Sequence, residues 1–196
     1  MRDIIIGLLI TLVGIIMLDQ VDIDRSSFPG RNERFISGEF PYPVLASTAD
    51  MEESPVLRTI GQEEVTAREL FRLTNKIRKE NNAPLLKENP MLNETAEIRV
   101  EDMFKKQYFG HMTPAGEDPA DIAKENGYFF RKIGENLAEG QFPTNQEVIN
   151  GWMQSPGHRK NLLSKDYTEM GIAVKRGEFK GADSIIAVQI LGKPWP

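Results

Sequence analysis

The 196-residue chain contains no cysteine. This excludes disulfides, thiolate nucleophiles, thiolate metal ligands and a lipid-modified N-terminal cysteine, and leaves chemistry to His, Asp, Glu, Ser, Tyr or Lys. Histidine is scarce too, since only His111 and His158 are present. Acidic residues outnumber basic ones, with 29 Asp and Glu against 24 Lys and Arg, so the net charge is -5. No basic stripe stands out, which argues against a nucleic-acid partner.

Residues 4–18 form a long run without a charged residue. As a helix they would span about 22 Å, against roughly 30 Å for the bilayer core, so the run lies between a signal-peptide core and a short spanning helix. No small-x-small cleavage pattern follows it. We therefore expect residues 1–18 to be an uncleaved signal anchor, with a single pass through the cell membrane and the C-terminal domain extracytoplasmic. Secretion after cleavage is the alternative.

The rest of the chain divides near residue 63. Residues 19–62 contain Pro29, Pro41, Pro43 and Pro55 and show no sustained period, which predicts an extended tether. From residue 63 to residue 196 the pattern is orderly and predicts one folded domain, a size sufficient for a real hydrophobic core.

Apolar periodicity within this domain predicts helices first and strands last. The expected helices cover residues 63–82, 90–108 and 119–126, and a fourth starts at 144. Thr144 and Glu147 have the spacing of a capping box at that fourth start. Residues 170–174 and 184–191 read as strands. This order favours an α+β domain with helices packed on an antiparallel sheet.

The two histidines both follow an expected helix end, and a glutamate lies between them in sequence. GENLAEG, residues 134–140, places Glu135 in what reads as an apolar loop. Two imidazoles and a carboxylate can bind Zn²⁺ or another divalent cation and leave a ligand position open, or Glu135 can act as general base beside a metal-bound water. The chain has no H-E-x-x-H motif, so His111 and His158 would meet only through the fold.

Two readings of His158 need no metal. Ser155 precedes it by three residues and is a remote candidate nucleophile, although no nucleophile elbow surrounds it and Ser-Pro is an ordinary helix end. Alternatively, His158 hydrogen-bonds Glu135 and the pair holds the cleft loops together. In that case the pair stabilises the fold and binds nothing.

Four ordered blocks carry a resemblance to a known family. They are FGHMTPAG at residues 109–116, GENLA at 134–138, EVINGWMQSPGHRKNLL at 147–163 and YTEMGIAV at 167–174. The set resembles the CAP superfamily, also called SCP/TAPS, of cysteine-rich secretory, antigen 5 and pathogenesis-related proteins, in its bacterial branch. The resemblance covers roughly residues 70–191. It implies a three-layer α-β-α sandwich with a central antiparallel sheet.

The resemblance also implies a cleft with two histidines and two acidic residues. His111 matches the first histidine, Glu135 the first acid and His158 the second histidine of the bacterial branch. Ser155 stands where many eukaryotic members have the second acid, so the four-residue set is incomplete. Glu147 and Trp152 also match family positions, and we assign both a structural role.

Three functions are compatible with these observations. The first is a non-catalytic cell-envelope binding protein whose cleft holds a lipid, glycan or peptide, with or without a divalent metal. The second is a metal-assisted hydrolase of peptide or peptidoglycan bonds that uses Glu135, His158 and, more remotely, Ser155. The third is a structural interaction module. We favour the first, because one fold and motif set can serve different activities and an anchored, tethered domain suits envelope binding.

Overall fold

The computed structural model of the chain describes residues 21–24 and 64–196, and the expected anchor lies outside them. Within this part the chain forms five strands and five helices. The strands are β1 Val21–Asp24, β2 Lys87–Glu88, β3 Phe130–Gly140, β4 Glu169–Phe179 and β5 Ala182–Pro194. The helices are α1 Ala67–Glu80, α2 Pro90–Lys106, α3 Pro119–Glu125, α4 Asn145–Gln154 and α5 Pro156–Leu163. None of the helices in this part of the chain is long and apolar enough to cross a membrane.

The strands form one sheet in the order β1-β3-β5-β4-β2. β1, β3, β5 and β4 pair in antiparallel fashion. β2 has only two residues and pairs in parallel with β4. The predicted antiparallel sheet is therefore confirmed for its main part, and a short parallel strand lies at one edge.

Helices cover both faces of this sheet. Along β5 alternate side chains point to opposite faces, as a strand requires. One set joins the core beneath α2 and α3, and the other joins the core beneath α1, α4 and α5; their members are Ile186, Val188 and Ile190 for the first, and Ile185, Ala187 and Leu191 for the second. The predicted three-layer α-β-α sandwich is confirmed.

Local capping signals start the helices. The Asn89 side chain accepts hydrogen bonds from the backbone N–H groups of Met91 (2.9 Å) and Leu92 (3.4 Å) at the start of α2, as the Asn-Pro pair indicated. Thr144 accepts from the N–H of Glu147 at 3.3 Å. The complete capping box, with both hydrogen bonds, belongs instead to α3.

Two segments differ from the sequence-based expectation. Residues 134–140, expected as a loop, lie in the strand β3. Every residue from 133 to 140 is buried, because helices cover both faces, so the period-two signal of a strand is missing. The segment SPGHRKNLL, expected to turn the chain after α4, is the helix α5. Ser155 serves both helices: its N–H donates to Gly151 O in α4, and its carbonyl accepts from Arg159 N in α5. Pro156 occupies the first turn, where proline starts a helix rather than breaking one.

Part of the expected tether also belongs to the sheet. Residues 21–24 form the edge strand β1, with Val21 opposite Glu135 and Asp24 opposite Lys132. Residues 19–20 and 25–63 lie outside the described part of the chain. The Pro-containing segment therefore contributes a strand next to the one that carries Glu135.

A glycine on β4 lets α2 lie directly on the sheet. A Cβ atom at Gly171 would stand 2.1 Å from the backbone carbon of Leu92, closer than any real contact. The N–H of Ile172 donates to the side-chain oxygen of Asn93 at 3.0 Å and fixes the same junction. This close approach sets the position of α2, and with it the position of Arg99.

Candidate functional site

Glu135 lies on β3 with its side chain directed toward α2. Its neighbours at alternate positions, Ile133 and Leu137, belong to the core beneath α2 and α3. The Glu135 side chain is 0% exposed. A buried carboxylate needs a counter-charge and hydrogen bonds to remain ionised.

Arg99 of α2 supplies both. Its Nε donates to Glu135 Oε1 at 2.9 Å, and its side chain is also 0% exposed. The remaining guanidinium donors bind Tyr108 Oη at 3.0 Å and the carbonyl oxygens of Gly110 (2.6 Å) and His111 (3.0 Å). Arg99 therefore neutralises Glu135 and holds the segment that carries His111.

The charges around Arg99 shift two pKa values. Burial disfavours the guanidinium cation, but attraction to Glu135 and their hydrogen bond outweigh it, so the pKa of Arg99 is raised above its ordinary value. Burial likewise raises the pKa of Tyr108 to about 12, against the opposing effect of Arg99, and its hydrogen bond to Asp102 (2.9 Å) adds to the rise. Tyr108 is therefore a neutral hydroxyl that accepts from Arg99 and donates to Asp102.

Of the three side chains Glu135, Arg99 and His111, only that of His111 is reached by solvent. Gln107 ends α2 in a left-handed conformation with φ 55°, and the chain returns across Arg99 to His111. The His111 Nδ1 atom lies 2.6 Å from Glu135 Oε2, and the side chain is 13% exposed. Since an ionised carboxylate only accepts, the proton of this hydrogen bond belongs to Nδ1. Nε2 is then the ring nitrogen turned away from the carboxylate; it is an acceptor in the neutral ring and a donor in the cation.

His158 lies on the other side of the sheet. It belongs to α5, which packs with α1 and α4 on the face opposite Glu135, and it is 0% exposed. Its carbonyl oxygen accepts from Asn136 Nδ2 at 3.4 Å. The structure therefore brings His111 and Glu135 together with Arg99, and it places His158 in a different layer.

Neutral polar side chains form a hydrogen-bond network beside His158. Asn136 donates to Gln189 Oε1 at 2.9 Å and accepts from Asn161 Nδ2 at 3.1 Å. Gln189 in turn donates to Thr74 Oγ1 of α1 at 3.0 Å. Asn136, Asn161, Gln189 and Thr74 are at most 1% exposed. This amide network joins α1, β3, β5 and α5 in the interior of the protein.

The other predicted site residues lie on α4 and at its end. Ser155 is partly exposed at the junction of α4 and α5, and its side chain makes no capping hydrogen bond. Glu147 is exposed in the first turn of α4. Trp152 is fully buried, and its Nε1 donates to the carbonyl oxygen of Leu137 at 3.0 Å.

The described donors do not build a metal centre. Both Glu135 oxygens are engaged, one by Arg99 and the other by His111, and His158 lies in the other layer. Over residues 21–24 and 64–196, no group of three or more His, Cys, Asp or Glu side chains is placed to hold a metal ion. A Zn²⁺ ligand set made of His111 and His158 with Glu135 therefore does not fit this arrangement.

Arg99 is a site residue that the sequence analysis missed. It lies seven residues after Leu92 and four before Met103, on the same buried face of α2. A cation on an otherwise apolar helix face has to meet a buried counter-charge, and this was the available signal. The sequence did not show which carboxylate it meets.

A surface cavity of about 400 Å³ lies close in sequence to His111 but apart from the predicted residues. Its lining residues are Ala115, Gly116, Glu117, Asp121, Lys124 and Glu125. Three of the six are acidic, so this cavity offers a polar lining to a ligand.

Comparison with known proteins identifies the family. Residues 71–191 match the family described as CAP, the cysteine-rich secretory protein family. The chain belongs to this family. It does so without a single cysteine, so the hydrophobic cores and buried polar groups described above hold this CAP domain together.

Two bacterial relatives come from Bacillus subtilis. The protein YkwD is 34% identical over 126 residues, which cover 64% of this chain and 47% of YkwD. The membrane protein YlbC is 33% identical over 109 residues, which cover 56% of this chain and 31% of YlbC. This chain therefore matches less than half the length of either relative.

Solved structures agree on the fold. An extracellular protein with an SCP domain from Bacillus anthracis aligns with a TM-score of 0.56 and 30% identity, over 65% of this chain and 40% of that one. An outer surface protein of Borrelia burgdorferi aligns with a TM-score of 0.56 and 22% identity, over 65% of this chain and 92% of its own. Its low identity makes it evidence for the CAP fold alone.

Proposed function

We propose that this chain is a membrane-attached, extracytoplasmic binding protein of the cell envelope, anchored through residues 4–18. Its CAP domain binds a peptide or glycan of the cell wall at His111 and does not cleave it. The names of two similar proteins support the location, since one is a membrane protein and the other is extracellular. The observation that supports the binding role is that Glu135 is fully buried and that both of its side-chain oxygens already have partners.

A general base must reach the proton that it removes. Glu135 is 0% exposed, and its two oxygens are occupied by Arg99 and by His111. Its negative charge therefore holds the side chains of Arg99 and His111 in place. The group presented to solvent is an oriented imidazole, which suits recognition of a hydroxyl, amide or carboxylate on a polar ligand.

Hydrolysis is the second candidate, and one distance favours it. A carboxylate 2.6 Å from Nδ1 of a histidine is the arrangement that orients a general-base histidine in catalytic triads. Ser155 lies at the junction of α4 and α5, in the layer opposite Glu135, so the attacking group in this alternative is water. His111 would take the proton of that water through Nε2.

One binding experiment separates the two candidates. Muropeptides from digested peptidoglycan are titrated into the detergent-solubilised full chain by calorimetry, and the same mixtures are examined by mass spectrometry for cleavage. We expect binding without cleavage. Binding should be about tenfold weaker for His111→Gln, because the hydrogen bond between the His111 imidazole and the ligand is lost. Glu147→Gln, at an exposed position in the first turn of α4, is the matched control and should bind as the parent does.

The outcomes differ for each function. Cleavage by the parent chain that stops in His111→Gln would establish the hydrolase and reject the binding role. Equal affinity of the parent and His111→Gln would reject His111 as the recognition group.

Membrane attachment has a separate test. Alkaline phosphatase fused after Pro196 should be active in cells and remain in the membrane fraction. Activity in the culture medium would indicate cleavage after the N-terminal segment, and an inactive fusion would place the domain on the cytoplasmic side.

A further inference from the structure

The strand β1 shortens the path between the expected membrane anchor and the CAP domain. The apolar run ends at Leu18 and β1 begins at Val21, so only two residues lie between them in sequence. Fully extended, this connection spans at most about 11 Å. The tether expected from the sequence, residues 19–62, could instead extend over about 150 Å. β1 therefore limits how far one edge of the sheet can lie from the end of the apolar run.

Both backbone pairing and a side chain hold β1 on the sheet. Its four residues pair with residues 132–135 of β3. Within the strand, Ile23 is half-buried and packs against the hydrophobic core beneath α2 and α3. β1 is thus part of the folded domain, and the N-terminal segment joins the domain at this edge.

The candidate site lies at the same edge. Val21 is opposite Glu135, and such partners on antiparallel strands have Cα atoms about 5 Å apart. His111 Nδ1 is 2.6 Å from Glu135 Oε2. The His111 ring therefore lies within about 15 Å of Val21 Cα, because only one strand spacing and the Glu135 side chain separate them. Together with the short connection before β1, this keeps His111 within about 25 Å of the end of the apolar run.

We propose that the ligand recognised by His111 is a muropeptide still attached to a lipid in the outer face of the membrane, not one within the polymeric wall. This inference rests on the proposed function and adds where the ligand is found. A muropeptide on a lipid headgroup is held at the membrane surface, within the reach of about 25 Å that β1 leaves to the site. Ligand and site then share one membrane, which raises their effective concentration. The domain contacts sugar and peptide, and the lipid chains stay in the bilayer.

Two insertions of the same flexible segment test the role of β1. A Gly-Ser segment of about 20 residues has a mean reach of about 25 Å. It is inserted either between Gln20 and Val21, before β1, or between Ser47 and Thr48, after β1. The first insertion lengthens the path from the membrane to the site. The second is the matched control, because it follows the strand that joins the sheet and leaves that path unchanged.

The absence of cysteine allows the distance to be measured directly. Met112 follows His111 and is 53% exposed, so Met112→Cys can carry a donor dye beside the site. The full chain is reconstituted in vesicles with acceptor dyes on the lipid headgroups. We expect energy transfer in the parent and an equal transfer with the insertion after β1. The insertion before β1 should remove most of it.

Binding is measured in vesicles that hold the full chain without a dye. A soluble, dye-labelled muropeptide is bound first, and its fluorescence anisotropy follows its displacement by unlabelled muropeptide, either free or coupled to the headgroup of phosphatidylethanolamine in the same vesicles. The coupled form should displace it at about tenfold lower total concentration than the free form. The insertion before β1 should reduce this advantage about fivefold, and the insertion after β1 should leave it unchanged. The free form should bind all three chains equally, because the site itself is intact.

Other outcomes overturn the inference. Equal effects of the two insertions would show that β1 does not set the distance between the site and the membrane. Equal displacement by free and coupled muropeptide in the parent would reject the lipid-attached ligand and leave the proposed binding role in place. If neither form binds, the proposed function fails together with this inference. If the chain does not float with the vesicles, the membrane attachment fails, and the inference fails with it.

Discussion

Two consecutive residues of β3 serve opposite faces of the sheet with different chemistry. Glu135 meets the cation Arg99 and the imidazole of His111 on the α2 face. Asn136 meets the neutral amides of Gln189 and Asn161 on the other face. Both side chains are 0% exposed.

The two groups of side chains differ in whether they reach solvent. The ionic group extends to His111, which is 13% exposed, and so connects a buried charge to solvent. The amide network ends at buried groups such as Thr74 and the backbone of His158. A fixed charge behind a partly exposed imidazole can act on a ligand, whereas an enclosed network of amides can only hold layers together. This difference supports the proposed ligand recognition by the first group, while the second group joins the layers of the fold.

The largest effect on stability is expected from removing the buried charge of Arg99. Arg99→Met leaves the Glu135 carboxylate buried without its cation and should lower the free energy of unfolding by about 3–5 kcal/mol. Urea unfolding followed by circular dichroism measures it. The double variant Arg99→Met/Glu135→Leu should recover part of the loss, since no unpaired charge remains. A loss under about 1 kcal/mol for the single variant would show that Glu135 does not depend on Arg99.

A smaller effect is expected on the neutral face. Asn136→Leu removes the partner of Gln189 and Asn161 and should cost about 1–3 kcal/mol of unfolding free energy, because buried polar groups lose hydrogen bonds. Muropeptide affinity at His111 should stay unchanged. The control Glu147→Gln, on the exposed first turn of α4, should lie within about 0.5 kcal/mol of the parent. If the Asn136→Leu variant folds but binds muropeptides more weakly, the amide network also contributes to ligand binding.

The smallest effect concerns alkaline pH. Tyr108 has a folded-state pKa of about 12, against about 10 for a free tyrosine, so its contribution is complete below about pH 10 and is lost as pH rises through 12. Because Tyr108 is partly solvated, we expect that loss to be only about 1 kcal/mol. Tyr108→Phe should make the decline of unfolding free energy between these pH values shallower. Identical pH profiles of the parent and Tyr108→Phe would show that the Arg99 group does not hold the phenol neutral.

Local signals in the sequence were sufficient for much of the domain. Asn89 with Pro90 predicted the start of α2, because an N-cap acts within a few residues of itself. The motif blocks predicted the CAP fold, which the family match and the solved structures confirm. β3 was missed because burial on both faces removes its alternation, and α5 was missed because Ser-Pro reads equally as a helix end and a helix start.

By itself the sequence determined the family, the three layers and a candidate set made of His111, Glu135 and His158. It could not determine which groups meet. Helix and strand periods state which face of an element is buried, but not what lies against that face. Only the tertiary structure placed Arg99 against Glu135 and His158 in the opposite layer, because these contacts join residues that are distant in sequence and depend on how α2 and α5 pack on the sheet.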